Sequence, residues 1–317
     1  MAEWSCSGLQ IRLRRFDSDL SLQIAMKKIT KAIIPVAGLG TRMLPATKAI
    51  PKELLPIIDK PLIQYVVEEA IQGGIKEIIL VTRSGKEAIE NHFDKNYELE
   101  HRLESTGKKK ILRSITKLIP SDIAISSVRQ ESAKGLGHAI LCAKHILKGE
   151  DFAVLLPDEI LLSKNEKNDF SKMMNFYNSS AQGQLLVEKV NKEELPNYGI
   201  VDLNKKQLNL NNPKKISKLI EKPSSKSAPS NYRVVGRYIL PFEVINFLSN
   251  TAPDKNGEIQ LTDALDELVL NGKKSIDAVL TDSNIFDCGS KKGFLGANIA
   301  FALRNEELKK YIKKIMF

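Results

Sequence analysis

Ala32-Ile33-Ile34-Pro35-Val36-Ala37-Gly38-Leu39-Gly40-Thr41-Arg42-Met43-Leu44-Pro45 is the stretch on which the fold turns. Residues 32–36 read as a buried strand, with Pro35 marking its end because proline cannot donate to a sheet ladder. Gly38 and Gly40 then leave the strand in a loop. Two glycines let the backbone come close to phosphate, and successive N–H groups can cradle oxyanions. This is not a Rossmann fingerprint, since Met43 stands where the third glycine belongs. Pro45, Pro51 and Pro56 also forbid a long helix directly after the loop. Nor is it a P-loop, because no Gly-Lys-Ser/Thr follows. A lone Gly-x-Gly after a strand is as readily a tight turn. Arg42 and Lys52 on the same loop tip the reading towards a triphosphate.

Outward from the loop, strands and helices alternate. Segment 61–72 reads as a helix: Asp59 precedes it, Pro61 suits a first turn, and Leu62, Val66 and Ala70 share one face. Gly73-Gly74 ends it. Strands are expected at 75–82, 123–129 and 152–156, with helices at 86–93 and 137–147. The alternation predicts an α/β fold, Rossmann-like, with a mixed, mostly parallel sheet flanked by helices. After Gly183 the texture changes. Runs 184–190, 199–203, 215–221 and 233–240 read as strands separated by polar loops. Helices return at 241–249, 258–270 and from about 291 to the C-terminus. Lys108-Lys109-Lys110, with Arg113 and Lys117, carries no aromatic residue and reads as a solvated face. Segment 223–230, rich in Pro and Ser, reads as a surface loop.

A chain of 317 residues holds one large α/β domain or two smaller ones. Its hydrophobic share of 42% and charged share of 27% exclude wholesale disorder. No apolar run reaches the roughly 18 residues of an ordinary membrane-spanning helix. Cys6, Cys142 and Cys288 form neither a disulfide framework nor a metal-site spacing, which points to a reducing compartment. His92, His101, His138 and His145 make no zinc pattern and read as structural or surface residues. The net charge of +10 fits a nucleic-acid binder, an enzyme of phosphorylated substrates or a basic proteome equally well. Residues 1–27 look unlike the rest. Arg12, Arg14 and Arg15 are mixed there with Glu3, Asp17 and Asp19, no secretory core follows, and the sequence restarts at Met26. They read as a non-core N-terminal extension.

Gly38-Leu39-Gly40-Thr41-Arg42 followed by Pro51-Lys52-Glu53-Leu54-Leu55-Pro56 resembles the signature of the sugar-1-phosphate nucleotidylyltransferases. The wording across 37–70 is similar to the bacterial uridylyltransferases among them. Further matches include Glu90-Asn91-His92-Phe93, Ala133-Lys134-Gly135-Leu136-Gly137-His138-Ala139, Leu156-Pro157-Asp158, Glu221-Lys222-Pro223, Val235-Gly236-Arg237-Tyr238 and Asp287-Cys288-Gly289. They run colinearly from about 28 to 300. The resemblance implies a nucleotide-diphospho-sugar transferase fold, with a catalytic domain over 28–300. Its nucleotide-binding half would cover about 28–183 and its sugar-binding half about 184–300, with a C-terminal helix at 301–317. It also implies an enzyme, a nucleotidyltransferase. The phosphate oxygen of glucose 1-phosphate would attack the α-phosphorus of UTP, with Mg²⁺ as cofactor, giving UDP-glucose and pyrophosphate. That chemistry asks a protein for alignment and charge stabilisation rather than a covalent nucleophile.

Residue roles follow from the same resemblance. Arg42, Lys52 and Lys222 are the catalytic candidates, the first two on the nucleotide phosphates and Lys222 on the sugar phosphate. Ala37, Gly38, Gly40, Thr41, Glu53, Gln130 and Gly135 form the nucleotide-binding set. Within it Glu53 and Gln130 belong with Ala37, Gly38 and Gly135 at the uracil and ribose end. A carboxylate or amide there can read the N3–H and carbonyl edge of uracil and reject cytosine. Gly199, Glu221 and Lys222 are the sugar-binding set. Asp158 closes the apolar run 152–158, which would put it at the carboxyl edge of the sheet, where ligands bind. Asp158 is the expected Mg²⁺ ligand and Asp287 the candidate second one. Glu159 is expected to point away from it, as neighbours along a strand do.

Three other functions compete. A thymidylyltransferase shares fold and loop, but the Pro51-Lys52-Glu53 and 133–139 wordings favour UTP. A catalytically idle regulatory paralogue is opposed by the intact Arg42, Lys52, Asp158 and Lys222. A nucleic-acid binder is opposed by the lack of any aromatic–basic pattern. The expected setting is cytoplasmic, as a homodimer or homotetramer, without nucleic-acid or membrane partners. Cys142 reads as core. Cys288, beside Asp287, could sense oxidation, although no sequence feature lowers its pKa.

Overall fold

Ala32, Ile33 and Ile34 are wholly buried in strand β1 (Lys31–Pro35), and they alternate between two cores. Ala32 and Ile34 pack on one side of the sheet and Ile33 on the other, as the two-residue period of a strand requires. Both faces are covered, so the strand reads apolar throughout instead of alternating with polar residues. The computed structural model describes residues 28–164 and 168–316; the extension expected at 1–27 lies outside the described residues.

A short ribbon follows the loop, made of β2 (Pro56–Ile57) and β3 (Lys60–Pro61). Then come β4 (Glu77–Thr82), β5 (Ala124–Arg129), β6 (Phe152–Leu155) and β7 (Glu159–Leu162). The rest of the chain adds β8 (Gly183–Lys189), β9 (Gly199–Asp202), β10 (Lys214–Lys215), β11 (Lys218–Glu221), β12 (Tyr232–Leu240), β13 (Ile276–Leu280) and β14 (Asn284–Asp287). The main sheet runs β10-β13-β8-β12-β6-β1-β4-β5, with β9 beside β12 and β11 beside β9. Parallel order rules the first half, where β6, β1, β4 and β5 all point the same way. Helix Leu62–Gln72 crosses from β1 to β4 on one face, and helix Gly135–Cys142 crosses from β5 to β6 on the other. The second half is mixed, as expected. Its pairings are antiparallel apart from β13 with β8.

Several boundaries differ from the sequence reading for identifiable reasons. Pro61 caps the helix Leu62–Gln72 with extended backbone (φ −59°, ψ 147°) instead of entering its first turn. The helix expected at 137–147 starts at Gly135 and is interrupted at Ala143, leaving a separate turn Lys144–Leu147. The strand expected at 215–221 is two strands, because the chain changes partner there: β10 pairs with β13, whereas β11 pairs with β9. The C-terminal helix is likewise two. Lys291–Arg304 ends at Asn305, whose Oδ1 accepts the N–H groups of Glu307 and Leu308 and so caps Glu306–Met316. The basic stretch at 108–110 opens the helix Lys109–Thr116 and is exposed, as read from the sequence.

β12 is the spine. Nine residues long, it pairs with β8 along one edge and with β6 and then β9 along the other, with a register shift between Val234 and Tyr238. Inside the shift lies Gly236, where a Cβ would come within 2.6 Å of both Glu159 Oε2 and Leu156 Cβ. Only glycine fits that close approach. Beside it, Arg237 is fully buried.

Candidate active site

The proline-studded segment after the glycine loop folds as three 3₁₀ turns, Thr41–Met43, Ala46–Lys48 and Lys52–Leu54, in place of a helix. Gly40 takes a left-handed φ of 68°, which glycine adopts without strain, and its carbonyl accepts from Thr47 Oγ1 at 2.7 Å. The returning chain lays the Lys52 side chain across the loop. A Cβ on Gly38 would stand 3.6 Å from Lys52 Cε, and one on Gly40 would stand 3.3 Å from Lys52 Cβ. The lysine head thus emerges beside the glycine backbone.

It meets Asp158. Lys52 Nζ donates to Asp158 Oδ2 at 2.6 Å, and Arg42 reaches across with Nη1 3.3 Å from Asp287 Oδ2 and Nη2 3.9 Å from Asp158 Oδ2. The two carboxylates are brought together by strand pairing. β14 runs antiparallel to β7 with Asp287 opposite Glu159, and the Cys288 N–H donates to Asp158 O at 2.7 Å. A Cβ on Gly289 would lie 3.0 Å from Asp158 Oδ2 and from Asp287 Oδ1, and 2.5 Å from Arg42 Nη2. Burial works to raise the Asp158 carboxyl, yet the Lys52 charge, its hydrogen bond and Arg42 hold it below the ordinary carboxylate range. Burial also works against the Lys52 ammonium, but Asp158 and Glu53 outweigh it and raise its pKa. Both partners are therefore ionised near neutral pH.

Two cavities open on this pair. One, of about 400 Å³, is lined by the loop from Ala37 to Thr41 with Lys52, Gln130, Gly135 and Asp158. The other, of about 390 Å³, is lined by Arg42, Asp158, Gly199, Glu221, Lys222 and Asp287. They share Asp158, Leu136 and Leu156. The structure thus gathers Arg42, Lys52, Asp158, Asp287 and the two sets around one carboxylate, with one exception. Glu53 is 0% exposed and lines neither cavity; Lys86 Nζ donates to its Oε2 at 2.7 Å. Burial raises the pKa of Glu53 against the pull of Lys86 and Lys52.

The sugar-side set is built on β9 and β11. Gly199 pairs with Glu221 across them, and a Cβ on Gly199 would stand 3.2 Å from Glu221 Oε2 and from Thr262 Oγ1. Thr262 Oγ1 donates to Glu221 Oε2 at 2.7 Å, which orients the carboxylate. Lys222 adopts φ 45°, a region that costs a non-glycine residue energy, and its N–H is tied to Tyr198 O at 3.1 Å. Its head is 58% exposed, with Nζ 3.4 Å from Glu221 Oε1, so it is free to swing to a ligand.

Glu159 turns away from Asp158, as expected. Its Oε1 accepts from Arg233 at 2.7 Å and its Oε2 from the Gly236 N–H. Cys288 is buried and its thiol is pushed up to about 12 by burial and by Asp287, Asp158 and Glu159, which makes it inert. Sequence reasoning assigned no role to four residues that shape the site: Thr262 on Glu221, Gly289 between the carboxylates, His138 on Gln130, and Arg237. Arg237 grips Glu69 through two bonds of 2.9 and 2.7 Å, and donates to Leu156 O and Glu159 O on either side of Asp158. One signal was available for it, an arginine in the otherwise apolar half of a nine-residue strand, since a buried charge needs a partner.

Residues 31–303 match the family model described as nucleotidyl transferase, and the chain belongs to that family. It is 45% identical over 289 residues to the UTP–glucose-1-phosphate uridylyltransferase of Haemophilus influenzae, covering 90% of this chain and 97% of that protein. A solved UTP-bound UGPase from Acinetobacter baumannii is 44% identical and superposes with a TM-score of 0.84, over 91% of this chain and 98% of that one. A glucose-1-phosphate thymidylyltransferase structure from Bacillus anthracis is 20% identical with a TM-score of 0.66, over 85% of this chain and 94% of that one; at that identity it speaks to the fold alone.

Proposed function

We propose that this chain is a UTP–glucose-1-phosphate uridylyltransferase, and the observation that carries the reading is Asp158 standing where the two cavities meet. A nucleoside triphosphate laid along the glycine loop and a sugar phosphate held by Glu221 and Lys222 would bring their phosphates together at that carboxylate. The phosphate oxygen of glucose 1-phosphate then attacks the α-phosphorus of UTP. The bond from that phosphorus to the bridging oxygen breaks, and pyrophosphate leaves with the electron pair. Arg42 and Lys52 supply positive charge where negative charge gathers in the transition state. The exposed head of Lys222 neutralises the attacking phosphate. Glu221, oriented by Thr262, takes the sugar hydroxyls, and Gly199 leaves room for the hexose.

Asp158 and Asp287 suit Mg²⁺, which takes one or two carboxylates and fills its shell with substrate phosphate oxygens. Both carboxylates converge beside Gly289, and the cations already drawn to them mark the spot as one that favours positive charge. Among the described residues no group of three or more His, Cys, Asp or Glu is arranged to hold a metal ion by itself, so substrate oxygens would complete any metal's coordination. When bound, Mg²⁺ supplies charge neutralisation on the phosphates. Domain halves of about 28–183 and 184–300, a homodimer or homotetramer, and a cytoplasmic setting complete the proposal. No described helix is long and apolar enough to cross a membrane.

The test is a nucleotide panel. Purified protein with Mg²⁺ and glucose 1-phosphate should consume UTP and form UDP-glucose and pyrophosphate in equal amounts. Preference for dTTP would move the reading to a thymidylyltransferase. No turnover with any nucleotide would leave the idle paralogue.

A further inference from the structure

The cavity beside the glycine loop is lined on one side by Gln130, a buried residue just beyond β5. Its Nε2 lies 3.1 Å from Gly135 O and 3.1 Å from His138 Nδ1. A carbonyl oxygen only accepts, so the amide nitrogen and not the amide oxygen must face Gly135, which fixes the flip of the side chain. The two hydrogens of that nitrogen then serve two acceptors, and His138 Nδ1 has to carry a lone pair instead of a proton. Cys142 Sγ, 3.8 Å from the same Nδ1, is a second donor and agrees with that assignment. Burial and the Lys134 cation lower the pKa of His138, which keeps the ring neutral at neutral pH. Among the described residues no hydrogen bond reaches Gln130 Oε1, so it is the polar atom this side chain can offer the cavity.

We infer that His138 is a positioning residue for base choice: it locks Gln130 so that the amide oxygen faces the base. The inference rests on the uridylyltransferase reading. An oxygen there accepts from the N3–H of uracil or thymine. Cytosine N3 carries a lone pair and would meet it lone pair to lone pair. The lock does not separate UTP from dTTP, so CTP is the informative probe.

The experiment measures kcat/KM for UTP and CTP in wild type, His138→Phe and His138→Asn. Phe keeps a ring without an acceptor, whereas Asn can place Oδ1 near the position of Nδ1. His138→Phe should lower the UTP-to-CTP ratio about tenfold, chiefly through the nucleotide KM, and His138→Asn should restore most of it. An unchanged ratio in His138→Phe overturns the inference. A second measurement needs no folded variant other than Asn for assignment: ¹⁵N spectra of the labelled wild type resolve the tautomer of each of the four histidines. His138 should carry its proton on Nε2, and a proton on Nδ1 overturns the lock. Wild type that turns over neither nucleotide counts against the proposed activity instead, while the tautomer still judges the lock.

Discussion

Lys52 and Asp158, 106 residues apart in sequence, are joined by a 2.6 Å charge-assisted hydrogen bond at the meeting point of the two cavities. The bond keeps each partner ionised, and it also ties the glycine loop to the end of β6. Asp158→Asn should therefore lower kcat by more than about 10²-fold, on the scale of losing a major electrostatic stabiliser. Pyrophosphate release at saturating substrates measures it. Activity within tenfold of wild type would show that charge is stabilised elsewhere.

Gly289 offers a gentler perturbation of the same centre. An added methyl would crowd Arg42 Nη2, Asp158 Oδ2 and Asp287 Oδ1 together. The guanidinium is 62% exposed and can swing aside, but the carboxylates are held by Lys52 and by the Gly289 N–H. Gly289→Ala should cost about tenfold or more in kcat through misplacement of the carboxylates, with little change in melting temperature. Equal losses of activity and stability would point to a folding defect.

Acid sensitivity follows from Asp151, whose carboxylate accepts from Tyr177, the Phe242 N–H and Lys274. Burial works to raise its pKa, but those partners win and hold it below 3.8. As pH falls the unfolded chain takes up the proton first. The stabilisation is thus complete above about pH 5 and is lost as pH drops through the folded-state pKa. Wild type should lose melting temperature steeply below about pH 4. Asp151→Asn should start lower at pH 7 and show a flatter decline.

Arg237 and Glu69 make a pair whose halves are not worth keeping singly. Arg237→Met leaves Glu69 buried without its cation, and the carbonyls of Leu156 and Glu159 lose a donor. Urea unfolding should register a loss of about 3–5 kcal/mol. The double variant with Glu69→Met should recover part of it, because the buried charge goes too.

Local pattern carried some of this structure and not the rest. The apolar run into Gly38 and Gly40 announced a strand and a loop, and the prolines after it correctly excluded a long helix. Nothing in spacing brings Asp158 to Lys52 or Asp287; those meetings depend on sheet order, and family resemblance stood in for it. Glu53 went astray for a local reason. The Pro51-Lys52-Glu53 wording does not say which way a 3₁₀ turn faces, and its partner Lys86 lies on a separate element. The split at 215–221 was hidden because both strands share one polar-apolar rhythm while bonding to different neighbours. Arg237 could have been read from charge alone, His138 only from the atoms around Gln130.

The placement of β12 has an evolutionary consequence. Contributed by the later part of the chain, it is bonded edge to edge with β6 from the earlier part, through Arg237 opposite Leu155 to Leu240 opposite Phe152. A crossover between related genes near codon 183 would seat a foreign β12 against a native β6, with the Glu69–Arg237 clamp and the Glu159–Gly236 contact both at the seam. Exchanging the segments before and after that point between relatives should therefore cost stability at this seam, whereas exchanging single loops leaves it intact.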